Sequence, residues 1–215
     1  DRTTREYKAF VAKHVFRNRF IWFICLANFF VYILRFAILD WGPTLLKEMK
    51  GFSILAAGFG VGAFEVSGIV GMLIAGWATD RFFGGRGSRT CVFCMIGAAA
   101  AVAAFWKVPT QTPLQAALLL GAAGFFIYGP QALIAIAAAN LATRRAAATA
   151  AGLTGLFGYI STVFSGWGLG VLVETRGWDA AFAGLLVVGG LGALMFVLAW
   201  PAKAHGYDEP DPARA

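Results

Sequence analysis

Six apolar stretches, each about as long as a lipid bilayer is thick, follow one another with only short polar turns between them. A hydrocarbon core of about 30 Å requires roughly 20 apolar residues in a helix. Such stretches fall at 20–44, 52–79, 90–106, 114–139, 150–173 and 180–200. Backbone polar groups inside lipid must pair within their own segment, so these stretches are expected to be helices. The expected fold is an all-α integral membrane bundle of six transmembrane helices at 20–200, with 1–19 as a cytoplasmic linker and 201–215 as a cytoplasmic tail. Charged residues make up 13% of the chain, against about 25% in a soluble domain, too few to build a water-facing surface.

The charges that remain sort by side. Lys and Arg number six in 1–19, three in 80–89, two in 143–145 and two in the tail, thirteen against four in the alternate loops. The positive-inside rule then places both termini in the cytoplasm. The pI of about 9.7 is thus a matter of topology, and nucleic acid is excluded as a partner because no basic patch lies on a soluble face. No small-residue cleavage site follows an apolar core near the start, and the first residue is not Met, so 1–19 is expected to continue from an upstream segment.

Metal, cofactor and hydrolytic chemistry find no support. Cys91 and Cys94 form a C-x-x-C, but neither a second pair nor a His within the spans completes a tetrahedral shell, so they and Cys25 are read as packing residues. His14 and His205 both fall outside the spans. An intramembrane serine protease needs a G-x-S-G serine and a His at membrane depth, and neither Ser67 nor Ser165 meets that requirement. No catalytic residue, metal ligand or cofactor is therefore assigned.

The polar residues inside the spans are more informative. Arg35 interrupts an apolar run, where an arginine costs about 2.5–3.5 kcal/mol and must face a partner, a cavity or a ligand. Its planar fork of donors matches phosphate or carboxylate. Asn28, Tyr32 and Arg35 recur at i, i+4 and i+7, one face of a helix. Glu65, mid-span in the second stretch, could instead neutralise Arg35 directly between helices. Asp40 is expected near the outer end of the first span, Tyr128 beside a kink at Pro130, and Tyr159 beside the bare face of Gly152, Gly155 and Gly158. The G-x-x-x-G pairs Gly58/Gly62 and Gly166/Gly170 are expected to pack helices within the bundle.

Four segments together resemble the organophosphate:phosphate antiporters of the major facilitator superfamily: 27–47 (ANFFVYILRFAILDWGPTLLK), 71–89 (GMLIAGWATDRFFGGRGSR), 127–134 (IYGPQALI) and 146–159 (AAATAAGLTGLFGY). The likeness runs through nearly the whole chain and matches the family's C-terminal half, six of twelve spans. It implies transport of a sugar phosphate or glycerol-3-phosphate in exchange for inorganic phosphate. A non-enzymatic hexose-phosphate sensor is the alternative. It also implies that Arg35 and Tyr32, from V-Y-x-x-R, and Tyr128 and Tyr159 line a substrate site with Asn28 on the same face. Asp40 and Glu65 would be gating or salt-bridge residues, and Asp80 and Arg81 part of a cytoplasmic latch. Gln131 and the alanine-rich 135–140 look closer to the sensor branch than to the glycerol-3-phosphate branch. The implied partners are a phosphate ester, inorganic phosphate, the lipid bilayer of a bacterial inner membrane, and an N-terminal six-helix half carrying a second cation.

Overall fold

The computed structural model describes residues 2–203. Asp1 and 204–215, which include His205 and most of the expected tail, lie outside the described residues. Helix α1 (Arg2–Val11) runs through a π-helical turn (Ala12–Phe16) into the long helices α2 (Arg19–Lys50), α3 (Ile54–Phe83), α4 (Gly87–Lys107), α5 (Pro113–Leu141), α6 (Ala147–Val163) and α7 (Leu169–Leu198), with a second π turn (Phe164–Gly168) joining the last two. No strand is present among the described residues. Five helical runs are long and apolar enough to cross a membrane, the last of them Ala147–Leu198 at 52 residues. That run is interrupted at Gly177, whose φ of 78° and ψ of 176° fall in a region essentially reserved for glycine. Six membrane-length segments result, broken between the fifth and sixth expected spans.

Local sequence sets the boundaries. The Asn18 side chain accepts from the Phe20 N–H at the start of α2, and Gly51 ends that helix in the left-handed conformation. Ser53 caps α3, Gly84 terminates it, and a Thr112/Gln115 capping box with Pro113 in the first turn starts α5. These side chains and glycines satisfy the terminal amides and carbonyls that a helix leaves unpaired. Residues 2–16, expected as linker, are helical, and Val11 and Val15 join the buried core.

Helices α3 and α5 make the closest approach. A Cβ at Gly71 would fall 1.9 Å from the Phe125 carbonyl oxygen, and one at Gly124 would fall 2.1 Å from that of Phe64. The four G-x-x-x-G glycines behave differently from expectation: Gly58, Gly62 and Gly166 face open space, and only Gly170 touches a neighbour, the Trp41 ring. Spacing alone marks where a backbone could approach, and the small residues with opposing backbone are the ones that are packed. Helix α5 continues through Pro130, and α6 loosens into a π turn, where Trp41 Nε1 of α2 donates to the Ser165 carbonyl at 3.0 Å.

Tryptophans pin the two residues that follow the Gly177 break. Trp178 Nε1 donates to Glu48 Oε2 at 2.9 Å and Trp106 Nε1 donates to Asp179 Oδ1 at 2.6 Å, tying the break to the C-terminal ends of α2 and α4. Large apolar side chains including Leu73, Trp77 and Trp167 point outward, the arrangement a bundle surrounded by lipid adopts. The chain is a multi-pass membrane protein.

Candidate functional site

Arg35 projects from α2 toward α5. Its Nη2 donates to the Tyr128 hydroxyl at 3.0 Å, and that hydroxyl in turn donates to Glu65 Oε2 of α3 at 2.5 Å. The guanidinium carbon lies 5.0 Å from the centroid of the Tyr128 ring and 5.4 Å from that of Phe36, distances at which a cation is attracted to the π face. Among the described residues Arg35 and Glu65 form no direct ion pair. The contact weighed from sequence is replaced by a relay in which one phenol serves both charges, because its oxygen accepts while its proton is donated.

Three helices thus meet in one polar line. Tyr128 is 6% exposed and packs edge-on against Phe64 at 5.7 Å, so its hydroxyl has little freedom to leave. Arg35 is half-buried, and its Nε is buried with no hydrogen-bond partner among the described residues. A guanidinium offers five donors, and here a single one is engaged by a protein side chain. The arrangement leaves a cationic fork at membrane depth with most of its capacity uncommitted.

The tyrosines of α2 and α6 form the second part of the cluster. Tyr32 stands 5.6 Å from Phe36 and 6.5 Å from Tyr159 between ring centroids, so aromatic contacts run from Arg35 through Phe36 and Tyr32 to Tyr159. Gly158 makes this possible: a Cβ there would sit 3.2 Å from the Tyr32 ring and 2.9 Å from Asn28 Nδ2. Tyr159 is 70% exposed, placing one end of the line on the open surface of the bundle.

The remaining candidates are distributed differently. Asn28 shares a helix face with Tyr32 and Arg35, yet it is 3% exposed and its Nδ2 donates to the Thr154 carbonyl at 2.7 Å, which makes it a link between α2 and α6. Asp40 is exposed within α2 rather than near its end, since the helix continues to Lys50. Asp80 and Arg81 are exposed in the last turn of α3, and neither forms an ion pair among the described residues. Phe36 was not singled out from sequence, although its position directly after Arg35 was the available signal. Cys25, Cys91 and Cys94 are free thiols on α2 and α4, and Cys94 Sγ is the atom nearest a Cβ built at Gly129.

The site is a half-buried arginine inside a six-segment bundle, joined by aromatic contacts to the bundle's open surface. The family model described as Major Facilitator Superfamily matches residues 2–166, and the chain belongs to that superfamily. The chain is similar to the glycerol-3-phosphate transporter of Bacillus subtilis (39% identical over 199 residues, 92% of this chain and 44% of the relative). It also resembles a probable hexose phosphate transport protein of Chlamydia pneumoniae (37%, covering 88% of this chain and 42% of the relative). A third relative is the membrane sensor protein UhpC of Salmonella typhimurium (36%, 88% and 43%). The resemblance to the organophosphate:phosphate antiporters is borne out. The chain spans less than half the length of these relatives, and identities of 39, 37 and 36% do not separate the sensor branch from the transport branches.

Proposed function

We propose that this chain forms one half of a membrane carrier that exchanges an organophosphate, a sugar phosphate or glycerol-3-phosphate, for inorganic phosphate by alternating access. The observation that carries this reading is Arg35: a guanidinium at membrane depth with one donor engaged by Tyr128 and a buried Nε that has no partner among the described residues. A phosphate monoester presents three acceptor oxygens and close to two negative charges at neutral pH, and a guanidinium fork matches it in charge and geometry. The names of the similar proteins, glycerol-3-phosphate and hexose phosphate transporters, support the same class of substrate.

The site's charges indicate a further requirement. Glu65, joined to Arg35 through Tyr128, formally cancels it, so a dianion needs another cation, which we assign to an N-terminal six-helix half. Tyr32, Tyr128 and Tyr159 line the substrate path in this reading, with Asn28 setting the α2–α6 spacing behind them. Asp40, Glu65, Asp80 and Arg81 act in gating. Phosphate held between two halves near the bilayer midplane stabilises the closed state, and only a loaded carrier rocks between its two openings. Exchange in both directions follows, with inorganic phosphate and the ester competing for one site. We place both termini in the cytoplasm and the protein in a bacterial inner membrane, with residues 1–19 as the linker between halves.

The test is counterflow in proteoliposomes holding the full-length protein and loaded with labelled inorganic phosphate. External glycerol-3-phosphate or glucose-6-phosphate should release the label. Saturable binding of the ester without any release would replace the carrier by a sensor that uses the same pocket.

A further inference from the structure

We infer that Gln131 of α5 reads the organic part of the phosphate ester by accepting a hydrogen bond from one of its hydroxyls, an inference that rests on Arg35 being the phosphate site. Gln131 Oε1 is buried and has no hydrogen-bond partner among the described residues. An amide oxygen left in that condition costs free energy, which a donor on a ligand would restore. Its depth in the bundle is set by the Arg35–Tyr128 bond, which fixes the register of α2 against α5. These helices are the first and fourth of consecutive spans and run antiparallel. Tyr32 lies three residues before Arg35 and Gln131 three residues after Tyr128. Both are therefore displaced the same way along the bundle, each by about 4.5 Å at 1.5 Å per residue. Gln131 stands at the level of the Tyr32–Tyr159 pair. Tyr128, Gln131 and Ala135 follow at i, i+3 and i+7, one side of α5, and along that side burial gives way to exposure: Tyr128 is buried, Gln131 half-buried and Ala135 exposed. Gln131 occupies the step between the phosphate anchor and the opening.

The two ends of the ligand call for opposite chemistry. A phosphoryl group accepts, and Arg35 donates to it; a carbon-borne hydroxyl can donate, and Gln131 Oε1 is an acceptor with nothing to accept. The offset between the two levels is about the reach from a phosphoryl group to the nearest hydroxyls of a sugar or glycerol skeleton. No protein hydrogen bond to this oxygen is broken when it turns to such a hydroxyl. A polar group placed for a substrate hydroxyl rejects the analogue that lacks it, so the site should prefer a hydroxyl-bearing ester to one with a bare alkyl chain. In the test, full-length protein in proteoliposomes is equilibrated with labelled inorganic phosphate, and the label is displaced with glycerol-3-phosphate, glucose-6-phosphate or propyl phosphate, whose chain carries no hydroxyl. At least one of the two hydroxyl-bearing esters should displace the label at a concentration about tenfold or more below that of propyl phosphate, the scale of a buried partner left unpaired. Gln131→Met, of similar length but without the amide, should narrow that gap to about twofold or less. A gap that persists in Gln131→Met, or equal displacement by all three esters in the unaltered protein, overturns the inference and leaves the Arg35 site standing. Failure of the unaltered protein to bind inorganic phosphate or any ester overturns the reading of Arg35, and the role of Gln131 with it. If Gln131→Met does not reach the membrane, Gln131→Asn, which withdraws the amide by one methylene, is judged by the same narrowing.

Discussion

Arg35 and Tyr128, 93 positions apart in the chain, are joined by a hydrogen bond of 3.0 Å that sets the character of the bundle's interior. The bond brings a permanent cation of α2 onto α5, and the same phenol passes its proton toward Glu65 of α3. Three helices are held by one side chain that carries no charge of its own.

Tyr128 is therefore expected to couple Arg35 to Glu65 energetically. Tyr128→Phe removes the acceptor from one and the donor from the other, at a cost of about 1–3 kcal/mol for partners left unpaired. Glu65→Gln alone should cost less, and the double variant should cost less than the sum, with a coupling of about 0.5–3 kcal/mol. Thermal unfolding of the four proteins in one detergent measures it. Strict additivity would show that the phenol does not bridge the two charges.

Glycine substitutions separate packed small residues from merely spaced ones. Gly71→Ala drives a methyl to within 1.9 Å of the Phe125 carbonyl oxygen, and forced overpacking of this kind costs typically about 1–3 kcal/mol. Gly58→Ala meets nothing within 4 Å and should leave the bundle's unfolding temperature unchanged or slightly raised, since alanine is the better helix former. Equal destabilisation by the two would contradict the α3–α5 contact described above.

The break at Gly177 gives a third expectation. Its φ of 78° and ψ of 176° are not available to alanine without strain of order 1–3 kcal/mol. Gly177→Ala should lower the unfolding temperature, whereas Gly190→Ala, at a helical position of α7 with open space around it, should not. A variant pair with matched melting curves would remove the case for a fixed interruption between α6 and α7.

These elements show what the sequence could reveal and where it fell silent. The six spans were legible because apolar length is a local property, and the capping residues Ser53 and Thr112 lie where the polar turns end. Arg35 was legible because a charge in an apolar run has no inexpensive position. The relay was not: Glu65 was weighed as a direct partner and Tyr128 only as a neighbour in the site, 30 and 93 residues away in sequence, and only the packing of α3 on α5 brings the phenol between the charges. Asn28 had the right periodicity for the Arg35 face, but periodicity gives a direction and not a depth, and Gly158 lets α6 approach closely enough to take its amide. The π turn at Phe164–Gly168 has no compositional signature apart from its glycines. The G-x-x-x-G pairs misled because the motif records only that a face is small.

Orientation in the membrane is open to a direct measurement. If thirteen of the eighteen Lys and Arg lie on the cytoplasmic side, a cysteine introduced by Arg86→Cys is expected to resist a membrane-impermeant maleimide in intact cells and to react after permeabilisation. Labelling without permeabilisation would invert the topology, and with it the assignment of residues 1–19 to the cytoplasm.

Replacement of Arg35 by lysine separates ligand recognition from charge balance. Lysine keeps the positive charge, so a role confined to balancing Glu65 through Tyr128 survives it, as do folding and insertion. An ammonium cannot reproduce the planar fork, and a bidentate phosphate contact is lost with it. In the full-length protein Arg35→Lys should reach the membrane at normal levels and lose phosphate-ester exchange, with binding weakened by about 1.5–3 kcal/mol, the scale of a hydrogen bond to a charged group. Binding of glucose-6-phosphate or inorganic phosphate at full affinity in the lysine variant would make Arg35 a structural charge. The uncommitted donors around its Nε would then need an explanation other than phosphate.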